Sequence, residues 1–193
     1  MLLNLWPTHI HQFEQESFYH LNRKIESYLL EKEKEKTESG GHSLIGKNSW
    51  HSDSNLTSLD TDWSIMLRKV IETNCITYLQ AIGVQIDTEV NSNIACWAMI
   101  MREDAQSQVH CHPGADLSGV YYVKVPEKDP GNLCFLDPRA GAKNNRIFQK
   151  DTKMIFQPKE GTGLVFPSWV DHYVEPHNTD ETRISISFNF YIA

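Results

Sequence analysis

Arg183-Ile184-Ser185-Ile186-Ser187-Phe188-Asn189-Phe190 alternates strictly between polar and apolar residues. Successive side chains of a strand point to opposite faces. This stretch is therefore a β-strand with Ile184, Ile186, Phe188 and Phe190 on one face and Arg183, Ser185, Ser187 and Asn189 on the other. A polar face turned to water gives an ordinary half-exposed strand. The same face turned into the mouth of a barrel puts Arg183 where it can hold a carboxylate through two parallel hydrogen bonds.

Upstream, the same pattern continues back to about Asn93. Short runs rich in Val, Ile, Tyr, Phe and Trp are separated by Pro, Gly, Asp and Asn. They predict strands at 94–102, 107–112, 117–125, 132–136, 152–157, 163–166, 171–175 and 182–192. Eight short strands with turns between them make a sandwich or jelly roll. The first third reads differently. Phe18, Leu21, Ile25, Tyr28 and Leu29 recur at helical spacing. The charged run Glu31 to Lys36 is a solvated helix end. Gly40-Gly41 breaks the pattern, and residues 42–58, rich in Ser, Asn and His, read as a loop. A second helix is predicted from Asp62 to Ile82, capped by Thr61 or Asp62 and stopped by Gly83. Its buried face would be Trp63, Met66, Leu67, Val70, Ile71, Tyr78 and Ile82. The chain is expected to be one domain, residues 1–193, with a helical part over 1–90 and a β core over 91–193.

Composition narrows the functional classes. Hydrophobic residues make up 40% of the 193, which supports a packed core. The formal net charge is −7 and no stretch gathers Lys and Arg, which argues against nucleic acid as a partner. Cys75, Cys96, Cys111 and Cys134 form no C-x-x-C pair and sit in apolar runs, as packed, reduced thiols of a cytoplasmic protein do. Met1 to Trp6 is apolar but short and lacks a basic leader, so it is not read as a signal peptide. No apolar run is long enough to span a bilayer, so no membrane partner is expected. The chain has no G-x-G-x-x-G, no P-loop and no G-x-S-x-G.

Three signals carry chemistry. His110-Cys111-His112-Pro113 puts two imidazoles at i and i+2 of a strand, on one face, with Pro113 ending the pairing. Taken alone, this is as well explained by two exposed histidines. Leu164 to Val174 is an apolar strand, a Pro-containing turn and a second strand bearing His172, which needs a hydrogen-bond partner or a metal in that setting. Arg183 is the third. Their order is the informative part, since His172 follows His110 by 62 residues and Arg183 follows His172 by 11.

That order resembles the Fe(II)/2-oxoglutarate oxygenase superfamily, whose double-stranded β-helix carries H-x-D…H…R. Ser118-Gly119-Val120-Tyr121-Tyr122-Val123, Asp137-Pro138-Arg139, Phe166-Pro167-Ser168-Trp169 and Arg183 to Asn189 are similar to a group of 2-oxoglutarate oxygenases found in bacteria and phages. The resemblance covers about 90–193. Over the N-terminal part only Ser49-Trp50-His51-Ser52 is suggestive. It implies a mainly β chain with N-terminal helices, folded as a cupin-like jelly roll. It implies a dioxygenase, a hydroxylase by default, with Fe(II) on His110, His112 and His172. It also implies 2-oxoglutarate as co-substrate on Arg183, helped by Tyr122, Ser185 and Asn189, with Trp97 also near the pocket. The superfamily usually has a carboxylate where this chain has His112, which leaves the site one negative charge poorer. Asp116 is an alternative ligand, and His177 and His51 are candidates for the surface or the outer shell. Two other classes also fit the histidines: a cupin-like three-histidine enzyme that uses no oxo acid, and a non-catalytic jelly-roll module that binds a protein or sugar. The substrate, small molecule or protein, is not legible. Arg139, Lys143, Arg146 and Lys150 make one loop basic, as an acidic substrate or plain solvation would require. An oligomer is compatible with the sequence.

Overall fold

Strand β10 (Arg183–Ile192) pairs along its length with β3 (Ser92–Met101) on one side and with β5 (Leu117–Lys124) on the other. The computed structural model describes every residue except 2, 4, 36–47, 87–89, 142–143, 145–151 and 193. Outside β5 lies β8 (Thr162–Pro167), followed by β1 (His11–Glu14); outside β3 lies β2 (Ser49–His51). These six strands form one antiparallel sheet. A second sheet runs in the order β4 (Ser107–His110), β9 (His172–Val174), β6 (Leu133–Leu136) and β7 (Lys153–Phe156). The two sheets make a double-stranded β-helix. All eight expected strands are present, with ends shifted by one or two residues.

The alternation in β10 sorts the molecule into two compartments. Ile184, Ile186, Phe188 and Phe190 are fully buried against the helical layer. That layer consists of α1 (Tyr19–Glu35) and α2 (Asp62–Ala81). Leu21, Ile25 and Leu29 of α1 and Leu67, Ile71 and Cys75 of α2 fill the same core. Arg183, Ser185 and Ser187 face the other way, into a cavity between the sheets. The inward reading of the polar face is thus the one realised.

Helix α2 starts as its sequence requires, with the Thr61 hydroxyl accepting from Ser64 N at 3.3 Å. The face assigned to it holds for Trp63, Leu67, Val70, Ile71 and Tyr78, but Met66 and Ile82 stand exposed. Helix α1 is tied to the sheet by a bidentate Arg102–Glu33 pair at 2.6 Å and by Lys124–Glu26 at 2.6 Å. Within the core, Tyr121 donates to Asn22 Oδ1 at 3.0 Å. Gly119 is required where β5 meets β10: a Cβ there would collide with the Phe188 ring and the Leu164 carbonyl oxygen.

Two short strands, β1 and β2, fall in the part expected to be helix and loop. The Gly40-Gly41 break and Lys143, Arg146 and Lys150 of the basic loop lie outside the described residues. Arg139 is paired with Asp137 at 2.7 Å. Among the described residues, no helix is long and apolar enough to cross a membrane.

Candidate active site

His110 closes β4, and His172 opens β9 directly opposite it. His112 lies two residues past the end of β4, not within a strand as expected. The i, i+2 spacing still brings it round, because its backbone N–H donates to Ser168 O at 2.8 Å in the turn before β9. The donor atoms of His110, His112 and His172 lie within 4.8 Å of one another and could hold a metal ion. The three rings crowd together, with centroids 4.4 to 5.1 Å apart.

Two of these rings are oriented by backbone carbonyls two residues upstream, in β4 and in the turn before β9. His110 Nδ1 donates to Gln108 O at 2.7 Å, and His172 Nδ1 donates to Val170 O at 2.9 Å. A proton fixed on Nδ1 leaves the Nε2 lone pair pointing into the site, as a ligating imidazole needs. His112 Nε2 and His172 Nε2 are 3.3 Å apart. At that distance either His112 donates an Nε2 proton to the His172 lone pair or both lone pairs face one cation, so the donor set fits a metal. Burial, with His110 close by, pushes His112 down to about 4, and burial likewise takes His172 down to about 3. Both rings are therefore neutral near pH 7.

Asp116 does not complete this set. Its Oδ2 accepts from Ile192 N at 2.8 Å, which fastens the end of β10. His177 is buried in the β9–β10 connection rather than at the surface, and it donates from Nε2 to Glu181 O. His51 is at the cavity, stacked on Trp97 at 5.7 Å, and Trp97 in turn leans on His112 at 5.9 Å. Cys111, expected to be packed, is half-buried in the cavity wall, whereas Cys75, Cys96 and Cys134 are buried thiols.

A cavity of about 490 Å³ joins the histidines to Arg183. Arg183 is 2% exposed and has no acidic partner among the described residues. Its Nη1 donates to Met101 Sδ at 3.0 Å and to Ser185 Oγ at 3.4 Å, and its Nε has no hydrogen-bond partner. The guanidinium stands 5.3 Å from the centre of the Tyr122 ring, and the Tyr122 hydroxyl is also buried without a partner. Burial lowers the Arg183 pKa and raises that of Tyr122, each opposed by the other group. A buried cation with an unpaired Nε and no acidic partner among the described residues, beside a buried hydroxyl, fits an anion entering from the cavity. Ser185 is part of this cluster. Asn189 is not in the cavity wall; its Oδ1 accepts from Ser118 Oγ at 2.8 Å, and Ser187 lines the wall instead.

The family model described as "Putative 2OG-Fe(II) oxygenase" matches residues 95–189, from β3 to the end of the polar run in β10. Residues 95–189 belong to the 2OG-Fe(II) oxygenase family. This 2OG-Fe(II) oxygenase core uses Fe(II) and takes 2-oxoglutarate as co-substrate, and it makes the chain an oxidoreductase. Its fold is shared with distant solved structures. A Pseudomonas putida prolyl-4-hydroxylase is 15% identical, with a TM-score of 0.67 over 95% of this chain and 92% of that one. A Trichoplax adhaerens prolyl hydroxylase, in complex with a peptide fragment of hypoxia inducible factor, is 11% identical, with a TM-score of 0.66 over 94% and 83%. HygX from Streptomyces hygroscopicus, with nickel, 2-oxoglutarate and hygromycin B bound, is 10% identical, with a TM-score of 0.58 over 95% and 83%. No curated protein sequence matches the chain.

Proposed function

We propose that the chain is a 2-oxoglutarate-dependent hydroxylase whose Fe(II) is held by His110, His112 and His172 and whose 2-oxoglutarate is anchored by Arg183. The observation that carries this reading is the buried Arg183, with an unpaired Nε facing the same cavity as three converging imidazoles. A cupin-like enzyme without an oxo acid, or a binding module, would have no use for that cation.

The Nδ1 hydrogen bonds of His110 and His172 fix both rings with Nε2 turned to where a metal would sit. Arg183 would hold the far carboxylate of the co-substrate, with the Tyr122 hydroxyl and Ser185 Oγ placed to add hydrogen bonds. Phe135 and Phe166, packed against His172 at 5.9 and 5.0 Å, close the back of the site and keep water from that side. Iron with its oxo acid supplies oxidation of a C–H bond by O2, with succinate and CO2 as co-products.

Two classes of substrate are compatible with the neighbouring folds, since prolyl hydroxylases and HygX share this architecture. The test of the anchor is anaerobic titration of the protein with Fe(II) and 2-oxoglutarate, following the weak visible charge-transfer band of the chelate. Arg183→Ala should raise the 2-oxoglutarate needed for half the band at least about a hundredfold, the cost of an unpaired buried charge contact. An unchanged half-saturation would remove Arg183 from the site. Metal binding without any band would favour a three-histidine enzyme that uses no oxo acid.

A further inference from the structure

We propose that the substrate of this site carries an anionic group of the carboxylate kind, seated beside the metal between Trp97 and β4. The proposal rests on the assignment of Fe(II) and 2-oxoglutarate above and concerns the space they leave.

The first observation is a charge count. A divalent iron brings two positive charges, 2-oxoglutarate removes two, Arg183 adds one, and three neutral imidazoles add none. One positive charge is left over. A carboxylate in place of His112 would have cancelled it. The second observation is that, among the described residues, no Asp or Glu lines the cavity to do so, and Arg183 is the one Lys or Arg that does. Asp116, four residues beyond His112, is spent on Ile192 N.

The third observation is the wall itself. With the co-substrate between the histidines and Arg183, the remaining wall is Trp97, His51 and Ser54 on one side and Ser107, Gln108 and Val109 on the other. Of these six, Trp97 and Val109 present apolar surface and His51, Ser54, Ser107 and Gln108 carry uncharged hydrogen-bonding groups. Ser107 Oγ accepts from Val174 N at 2.8 Å, which leaves its own hydrogen to donate to a ligand. Such a wall can hold an anion by hydrogen bonds and has no carboxylate to repel it. One uncompensated charge about 6 Å from a bound anion, at an effective dielectric near 20, is worth roughly a hundredfold in affinity; screening from the open side reduces this to about tenfold.

The test uses the full chain as its anaerobic Fe(II)–2-oxoglutarate complex at saturating 2-oxoglutarate. It is titrated separately with acetate, chloride and methylammonium, and the charge-transfer band is the readout. Acetate should shift the band saturably and methylammonium should not. Two variants restore negative charge: His112→Asp at the metal, and Gln108→Glu on the wall. Each should weaken acetate binding at least about tenfold. If His112→Asp fails to fold or to hold iron, Gln108→Glu decides, because that side chain ligates nothing. A response to chloride without one to acetate would overturn the substrate class in favour of a free inorganic ion. No response to any anion, or equal acetate affinity in wild type and Gln108→Glu, would overturn the charge argument while the band keeps the oxygenase reading intact. Absence of the band in the wild type would end both.

Discussion

Burial sets the proton affinity of two imidazoles of the site, His112 and His172. His172 is the most enclosed, between Phe135, Phe166 and the other two histidines. Its folded value of about 3, and that of His112 near 4, lie below the ordinary 6.5 of an unfolded histidine. Below pH 6.5 the unfolded chain takes up protons that the folded chain refuses. Stability is therefore full above about pH 6.5 and is lost as the pH falls towards 4. The metal-free protein should melt several degrees lower at pH 5 than at pH 7.5, by differential scanning fluorimetry. The gap should narrow in His172→Asn, where one of the two refused protons has no site; an equal gap would mean that His172 is not held neutral. Tyr122 is the second residue whose role is measurable. Tyr122→Phe removes one hydroxyl and should raise the 2-oxoglutarate requirement about tenfold, far less than Arg183→Ala, because one hydrogen bond to a charged group is at stake. An unchanged requirement would leave Tyr122 as packing alone.

At the level of elements, β5 and β10 cross so closely that one position admits glycine only. Gly119→Ala should cost about 1–3 kcal/mol of overpacking against Phe188 and the Leu164 carbonyl. That corresponds to a fall in melting temperature of about 2–12 °C, and an unaltered melting curve would show that the Phe188 ring can swing aside. The eight core strands were legible because short runs rich in β-branched and aromatic residues lie between strong turn formers, with strict alternation in β10. Strands β1 and β2 were not. In β1, Phe13 is the one buried residue, and β2 is three residues long in a stretch rich in Ser, Asn and His. Their pairing is decided by the edges of β8 and β3, which no local pattern reports. The site was legible to a similar depth. Spacing along a strand told that His110 and His112 could share a face, while the joining of His172 to them and the inward Arg183 were implied by the resemblance that the order of these residues carries. It could not choose between His112 and Asp116, because that choice depends on where Ser168 O and Ile192 N lie. Asn189 was expected in the pocket because it shares a face with Arg183. By residue 189 the strand has run past the cavity, and its side chain meets Ser118.

Across the whole molecule, the helical layer and the larger sheet share one core, from Phe18 and Leu67 through to Phe188. We propose that residues 1–193 form one domain and unfold together. Calorimetry should give a single transition with equal calorimetric and van't Hoff enthalpies, and two resolved transitions would divide helices from sheet. Strand β10 is where this unity is most exacting. Its even-numbered residues from 184 to 190 belong to the packed interior, and Arg183, Ser185 and Ser187 belong to the cavity. The two sets interleave like the teeth of a zip. Deleting or inserting one residue between 183 and 190 would exchange them at a stroke, driving polar groups into the interior and phenylalanines into the catalytic chamber. Length variation should therefore be purged from this strand, so that in a library of single-codon insertions and deletions it stands out as a gap among the survivors.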